Sequence, residues 1–236
     1  MIGLSLPERL HVVGIAAHPD DLEIGCGGTL LQLAARPGTT ASFLTLTGTP
    51  AREAEARAAA AAFWPGASSA FAGLPDGRLP EHWGAVKAAL HEHAARTPAP
   101  DVVLAPRPDD AHQDHRLLGE LAPTVWRDAV VLHYEIPKWD GDLGRPDTYV
   151  PLPAQAARRK VELLDAAYPS QKAHDWWDAE TFLGLLRLRG VECRARYAEA
   201  FVVRKAVLDL GLDPAHHLAP DPGTGVGPDR DPAGGA

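Results

Sequence analysis

Short apolar runs recur along this chain at intervals that a helix can fill. Leu10–Ala17, Ala41–Thr47, Ala70–Leu74, Asp101–Ala105 and Ala129–Ile136 each have the length of a buried strand. Between them lie Thr29–Ala35, Arg52–Phe63, Glu81–Arg96 and Asp114–Leu121, whose composition favours helix. The punctuation agrees: Pro37-Gly38 and Trp64-Pro65-Gly66 stop helices, and Pro75-Asp76-Gly77 marks a turn. Such a strand–helix alternation predicts an α/β domain, a single mostly parallel sheet with helices on both faces. The last third is less regular. Pro137–Pro153 reads as one long loop, Ala154–Ala167 and Ala179–Arg189 as helices, and Tyr197–Arg204 as a final strand. One domain is expected over 1–208, followed by a disordered Pro/Gly-rich tail over 209–236.

Charge narrows the partners. The 236 residues carry 23 Lys and Arg against 31 Asp and Glu, a formal charge of −8, which suits nucleic acid poorly. The only basic run, Arg158-Arg159-Lys160, reads as a solvated helix face. Cys26 and Cys193 lie far apart, and no leader or membrane-length apolar segment is seen, so a reduced cytoplasmic location is expected. Neither nucleic acid nor membrane is expected as a partner. A homo-oligomer is compatible with the sequence, in which a core face and an interface face look alike.

In open α/β sheets, ligands bind beyond the carboxyl ends of the strands. Two clusters fall there. His18-Pro19-Asp20-Asp21-Leu22-Glu23 follows the first strand, and His112-Gln113-Asp114-His115 follows the fourth. Three protein ligands and one open position make a catalytic zinc site. His18 and Asp21, three apart in a turn stiffened by Pro19, with His115 from the other loop, supply two imidazoles and a carboxylate. That set suits Zn²⁺ and also Fe²⁺. Asp20 is then placed as general base toward a metal-activated water, His112 as oxyanion stabiliser and proton donor, and Asp114 as the group orienting a histidine. Read alone, His18–Asp21 is equally a helix cap; the second cluster on the same rim favours the metal.

These two motifs resemble the LmbE-like (PIG-L) metal-dependent N-deacetylases, over about residues 10–205. The resemblance implies a Rossmann-like fold and hydrolysis of N-acetyl groups, often on glucosamine-containing small molecules. It implies Zn²⁺ on His18, Asp21 and His115, Asp20 as base and His112 as acid or electrostatic stabiliser. Thr47-Gly48 with Arg52-x-x-Glu55 resembles the segment placing a substrate-binding arginine, although Thr49-Pro50 departs from the family's Glu and Gly; Arg52 is otherwise an ion pair with Glu55. Leu74-Pro75-Asp76-Gly77 resembles a turn near the sugar, and Asp76 is otherwise a plain turn residue. Tyr168-x-Ser170-Gln171 and Tyr197–Phe201 also look like family segments.

Lys138 and Trp139, in the Ile136–Leu143 loop, are the remaining candidates for substrate selection. Gly25-Cys26-Gly27-Gly28 lacks the dinucleotide pattern and reads as close helix packing. His91 and His93 are expected on solvent-facing helix positions, His133 in the core or at the rim, Trp176-Trp177 in packing, and His216-His217 in the tail. The expectation is a zinc-dependent N-deacetylase acting on a small N-acetylated amino-sugar metabolite. The rivals are a hydrolase of another amide or ester in secondary metabolism, an Fe²⁺ oxygenase, against which the βαβ order and the spare Asp20 speak, and a non-catalytic binding module.

Overall fold

A computed structural model describes Gly3 and residues 6–207. The expected tail over 209–236, with His216-His217, lies outside the described residues. Seven strands form one sheet in the order β3-β2-β1-β4-β5-β7-β6. They are β1 His11–Ala16, β2 Thr40–Thr47, β3 Ser68–Leu74, β4 Val102–Pro106, β5 Val130–Tyr134, β6 Thr148–Leu152 and β7 Tyr197–Val202. The first five run parallel; β7 is antiparallel to both β5 and β6.

Six helices cover the sheet: α1 Asp21–Ala34, α2 Pro50–Phe63, α3 Trp83–Arg96, α4 Gln113–Val125, α5 Ala154–Ala167 and α6 Ala179–Glu192. Successive strand residues point to opposite faces, and the strands are apolar on both. Val12, Phe43 and Leu104 pack with Leu30 of α1, Phe63 of α2 and Leu164 of α5. Val13, Leu44 and Val103 pack on the other face with Leu90 of α3 and Leu118 of α4. The chain builds outward from β1 through β2 to β3, then returns to the other side of β1 with β4. The crevice between β1 and β4 is therefore the topological switch point, where such sheets bind ligands.

Several expectations need correction. Helix α1 begins at Asp21, eight residues before the expected Thr29, and runs through the glycine segment with non-helical angles at Cys26 (φ −142°, ψ 22°). Gly25 lies where an added Cβ would meet the Tyr134 ring at 2.2 Å, and at Gly27 it would meet Phe63 at 2.7 Å. Packing the helix that closely outweighs the low helix propensity of glycine. Part of the expected Pro137–Pro153 loop is strand β6. It is the sheet's last strand, where Pro151 deprives no further neighbour of a hydrogen bond.

Lys160 is not on a solvated face. Its ammonium is buried, donating to Glu199 Oε1 at 2.7 Å and to the Ile24 carbonyl at 2.6 Å, while the Gly28 and Thr29 N–H groups donate to the same carboxylate. His93 is buried, unlike His91, which is exposed. His133 is core, its Nδ1 2.9 Å from the Pro106 carbonyl. Cys26 and Cys193 are free. Among the described residues no helix is long and apolar enough to cross a membrane.

Candidate metal centre and active site

Strand β1 ends at Ala16, and the next turn reverses the chain into α1. Asp20 takes φ 118°, a left-handed value that only one other described non-glycine residue, Arg194, shares. The turn is held by Asp21, whose Oδ2 accepts the His18 backbone N–H at 2.7 Å. On the far side of the crevice, β4 ends at Pro106 and α4 opens with His112 as its N-cap, Nδ1 accepting the Asp114 N–H at 3.2 Å.

These two turns bring three ligating atoms together. His18 Nδ1 lies 3.3 Å from Asp21 Oδ2 and 3.1 Å from His115 Nε2; His115 Nε2 lies 3.3 Å from Asp21 Oδ2. Donors held at 2.0–2.1 Å by one tetrahedral ion would stand about 3.3–3.4 Å apart. The triangle fits a small divalent cation, and its two imidazoles and one carboxylate suit zinc or Fe²⁺. His18, His112 and His115 also offer nitrogens within 4.8 Å of one another, so His112 sits beside the triangle.

Electrostatics points the same way. Burial disfavours a charged His18, but Asp21, Asp114 and Asp76 outweigh it and raise its pKa to about 12. For His115, burial is likewise outweighed by Asp21 and Asp110, which raise it to about 9. Left to protein groups alone, the carboxylates therefore draw protons onto both imidazoles. A divalent ion meets the same demand with the rings neutral.

The neighbours support the ligands. His115 Nδ1 is 3.1 Å from Asp110 Oδ1, and His18 Nε2 is 3.0 Å from Asp76 Oδ1 and 3.5 Å from Asp114 Oδ2. Each ring thus has a carboxylate within ion-pair distance of its outer nitrogen, although neither nitrogen makes a hydrogen bond of good geometry. Asp114 also accepts the Gly77 and Leu79 N–H groups at 2.8 and 3.0 Å, so it carries the turn that presents Asp76.

Asp110 was missed from the sequence. The signal was present: Pro108-Asp109-Asp110 follows β4 just as Pro19-Asp20-Asp21 follows β1. Burial opposes its ionisation, but His115 and the His112 N–H outweigh that and lower its pKa to about 2.

Asp20 is buried beside the triangle. Burial and the Asp21 charge raise its pKa to about 8 against the pull of Arg52 and His18. Arg52 reaches Asp20 Oδ2 at 2.9 Å and the Pro19 carbonyl, with Nε 3.5 Å from Glu55 Oε2. The expected substrate contact and the expected Glu55 pair thus share one guanidinium, already bound to the turn it faces. His112 uses Nδ1 as acceptor, which leaves its proton on Nε2; burial, then His115 and His18, lower its pKa and favour that neutral donor form.

A cleft of about 660 Å³ opens over these groups, lined also by Arg52, Asp76, Lys138 and Trp139. Lys138 lines it with an ammonium already taken up, 3.0 Å from Asp110 and 2.7 Å from Asp142. His174 and Trp176 line it too, so Trp176 serves the cleft wall while Trp177 packs in the core.

Residues 13–126 match the family model described as PIG-L: GlcNAc-PI de-N-acetylase. No curated protein sequence matches the chain. Among solved structures, the fold is similar to that of a conserved protein from Thermus thermophilus, at 27% identity and TM-score 0.67 over 87% of this chain and 99% of that one. It is also similar to N,N'-diacetylchitobiose deacetylase from Pyrococcus horikoshii, at 22% and 0.63 over 82% and 83%. Teicoplanin deacetylase in a zinc-inhibited form is similar at 14% and 0.62 over 84% and 100%. The match spans both turns that carry the His18, Asp21 and His115 triangle on the switch-point crevice, and residues 13–126 are a PIG-L (LmbE-like) family domain.

Proposed function

We propose that this chain is a metal-dependent N-deacetylase, its catalytic domain spanning 1–208, that removes an N-acetyl group from a small amino-sugar-containing metabolite. The observation that carries the reading is the triangle of His18, Asp21 and His115 with Asp20 and His112 against it. The deacetylase names among the similar structures support the reaction class. Zinc is the favoured ion and Fe²⁺ the alternative. The two free cysteines support a reduced, cytoplasmic location.

His18, Asp21 and His115 would hold the ion, which would supply Lewis acidity for water activation and carbonyl polarisation. Asp20 takes the proton of the attacking water. Asp20 stays within the site to give that proton back later, and Arg52 holds its carboxylate in place. His112 donates from Nε2 to the carbonyl oxygen as negative charge develops there. Asp110 flanks the His115 imidazole, and Asp76 with Asp114 flanks that of His18, as counter-charges that would favour their orientation. Proton return to the nitrogen frees amine and acetate.

The test is release of acetate and free amine from N-acetylglucosamine and its glycosides, with metal removed by chelation and then restored. Release that stops on chelation and returns with Zn²⁺ or Fe²⁺ is expected. Metal-loaded protein that frees no acetate from any N-acetyl amino sugar contradicts the proposal.

A further inference from the structure

The cleft has a second wall, away from the metal triangle. Trp139 is a large apolar side chain left 67% exposed. It is nevertheless held: its indole N–H donates to Asp175 Oδ1 at 2.8 Å. His174 and Trp176 meet it edge-on with ring centroids at 5.6 and 6.0 Å, and they lie nearly parallel to each other, at 12°. Two segments far apart in sequence thus close into one aromatic wall lining the cleft that holds His18 and His115. An exposed indole already fixed by a hydrogen bond loses little further freedom when a ring stacks on it.

The wall's charge restricts that ring. Arg52 and Lys138, the arginine and lysine that line the cleft, are bonded to carboxylates. Asp76 and Asp140 stay open to solvent, at 73% and 47%. Away from the metal triangle, a phosphate or carboxylate on the substrate would face these acids with no uncommitted guanidinium or ammonium among the described lining residues. A volume of about 660 Å³ suits a drug-sized ligand better than a single small ring.

We propose that Trp139, His174 and Trp176 form a subsite for a second ring, neutral or cationic, attached to the amine-bearing unit. The substrates are then ring-bearing glycosides rather than free sugars or sugar phosphates. This rests on the deacetylase reading and names its substrate class.

Deacetylation of N-acetylglucosamine, its phenyl β-glycoside and its 1-phosphate separates the alternatives in wild type, Trp139→Ala and Trp139→Phe. The wild type should prefer the phenyl glycoside over both others. Trp139→Ala should lower kcat/KM for the glycoside about ten-fold more than for the free sugar, through KM, and Trp139→Phe should recover most of it. Equal melting temperatures establish that the variants fold. No preference for the glycoside in wild type, or an equal fall on all substrates in Trp139→Ala, overturns the subsite.

If no substrate releases acetate, the deacetylase reading fails and the subsite is read instead by calorimetric titration with phenyl β-D-glucoside, which carries no acyl group. Binding about ten-fold weaker in Trp139→Ala then upholds it. Equal binding, or none to wild type, overturns it.

Discussion

The two halves of α1, divided at Cys26, are both surrounded by buried charge and do different things with it. Behind the second half, the Glu199 carboxylate accepts from the Gly28 and Thr29 N–H groups and from Lys160, and Lys160 also donates to the Ile24 carbonyl. The chain itself meets that charge. Around the first turn, Asp20 meets Arg52, Glu23 accepts only from the Tyr168 hydroxyl among the described side chains, and Asp21 faces two imidazoles. That cluster is balanced only by added protons or an added cation. A buried carboxylate saturated by protein groups builds structure; one whose demand stays open builds a site.

The comparison breaks most visibly at Glu199. Glu199→Ala leaves a buried, unpaired ammonium and two orphan N–H groups, and should cost about 3–5 kcal/mol in urea denaturation. Replacing the pair together, with Lys160→Met and Glu199→Leu, should recover much of that loss. A single-variant loss below about 1 kcal/mol would mean the pair does not close the helix as described.

Gly25→Ala probes the junction between the halves. Its Cβ would enter the Tyr134 ring, and overpacking of this kind costs about 1–3 kcal/mol. Gly84→Ala, in α3 with nothing within 4 Å, is the control and should be neutral or stabilising in the same melt. Equal effects at the two positions would remove the packing explanation for the glycine run.

Asp20 sharpens the contrast from the other side. Its φ of 118° stores backbone strain that glycine would relieve, so Asp20→Gly should be about 1–2 kcal/mol more stable than Asp20→Ala. The two variants share every lost side-chain contact, and identical denaturation midpoints would show that the turn is unstrained.

The smallest effect lies far from α1. Burial, then nearby His11, lowers the pKa of His93 to about 4, against about 6.5 unfolded. Between those values the unfolded chain binds a proton that the folded one does not, so stability falls as pH drops from about 6.5 towards 4. His93→Gln should flatten that part of a melting-temperature profile; an unchanged slope would place the acid sensitivity elsewhere.

The strand–helix alternation and the rim carrying both clusters were legible because apolar runs and turn residues are local signals. The start of α1 was not: close helix packing at Gly25–Gly28 was legible and Tyr134 and Phe63 supply it, but the low helix propensity of glycine hid that the helix already begins at Asp21. Strand β6 was hidden because Thr148–Leu152 pairs with β7, about fifty residues later, and carries a proline. Lys160 read as solvated because its partner, Glu199, lies 39 residues away. The meeting of His18, Asp21 and His115 drew on residues in two short motifs and was readable. Asp110, which backs His115, was overlooked although its Pro-Asp-Asp setting repeats that of Asp21. The aromatic wall needs two distant segments to meet, and no spacing rule announces that.

The central claim is that Asp21 and Asp20, adjacent in the chain, divide the work into holding the ion and moving the proton. Metal content and acetate release measured on one preparation of Asp20→Asn test it most directly. A divalent ion bound as in wild type and turnover lower by about 10²–10⁴-fold are expected, with His115→Ala losing both. Asp20→Asn that turns over near the wild-type rate, or that loses its ion as His115→Ala does, would contradict it.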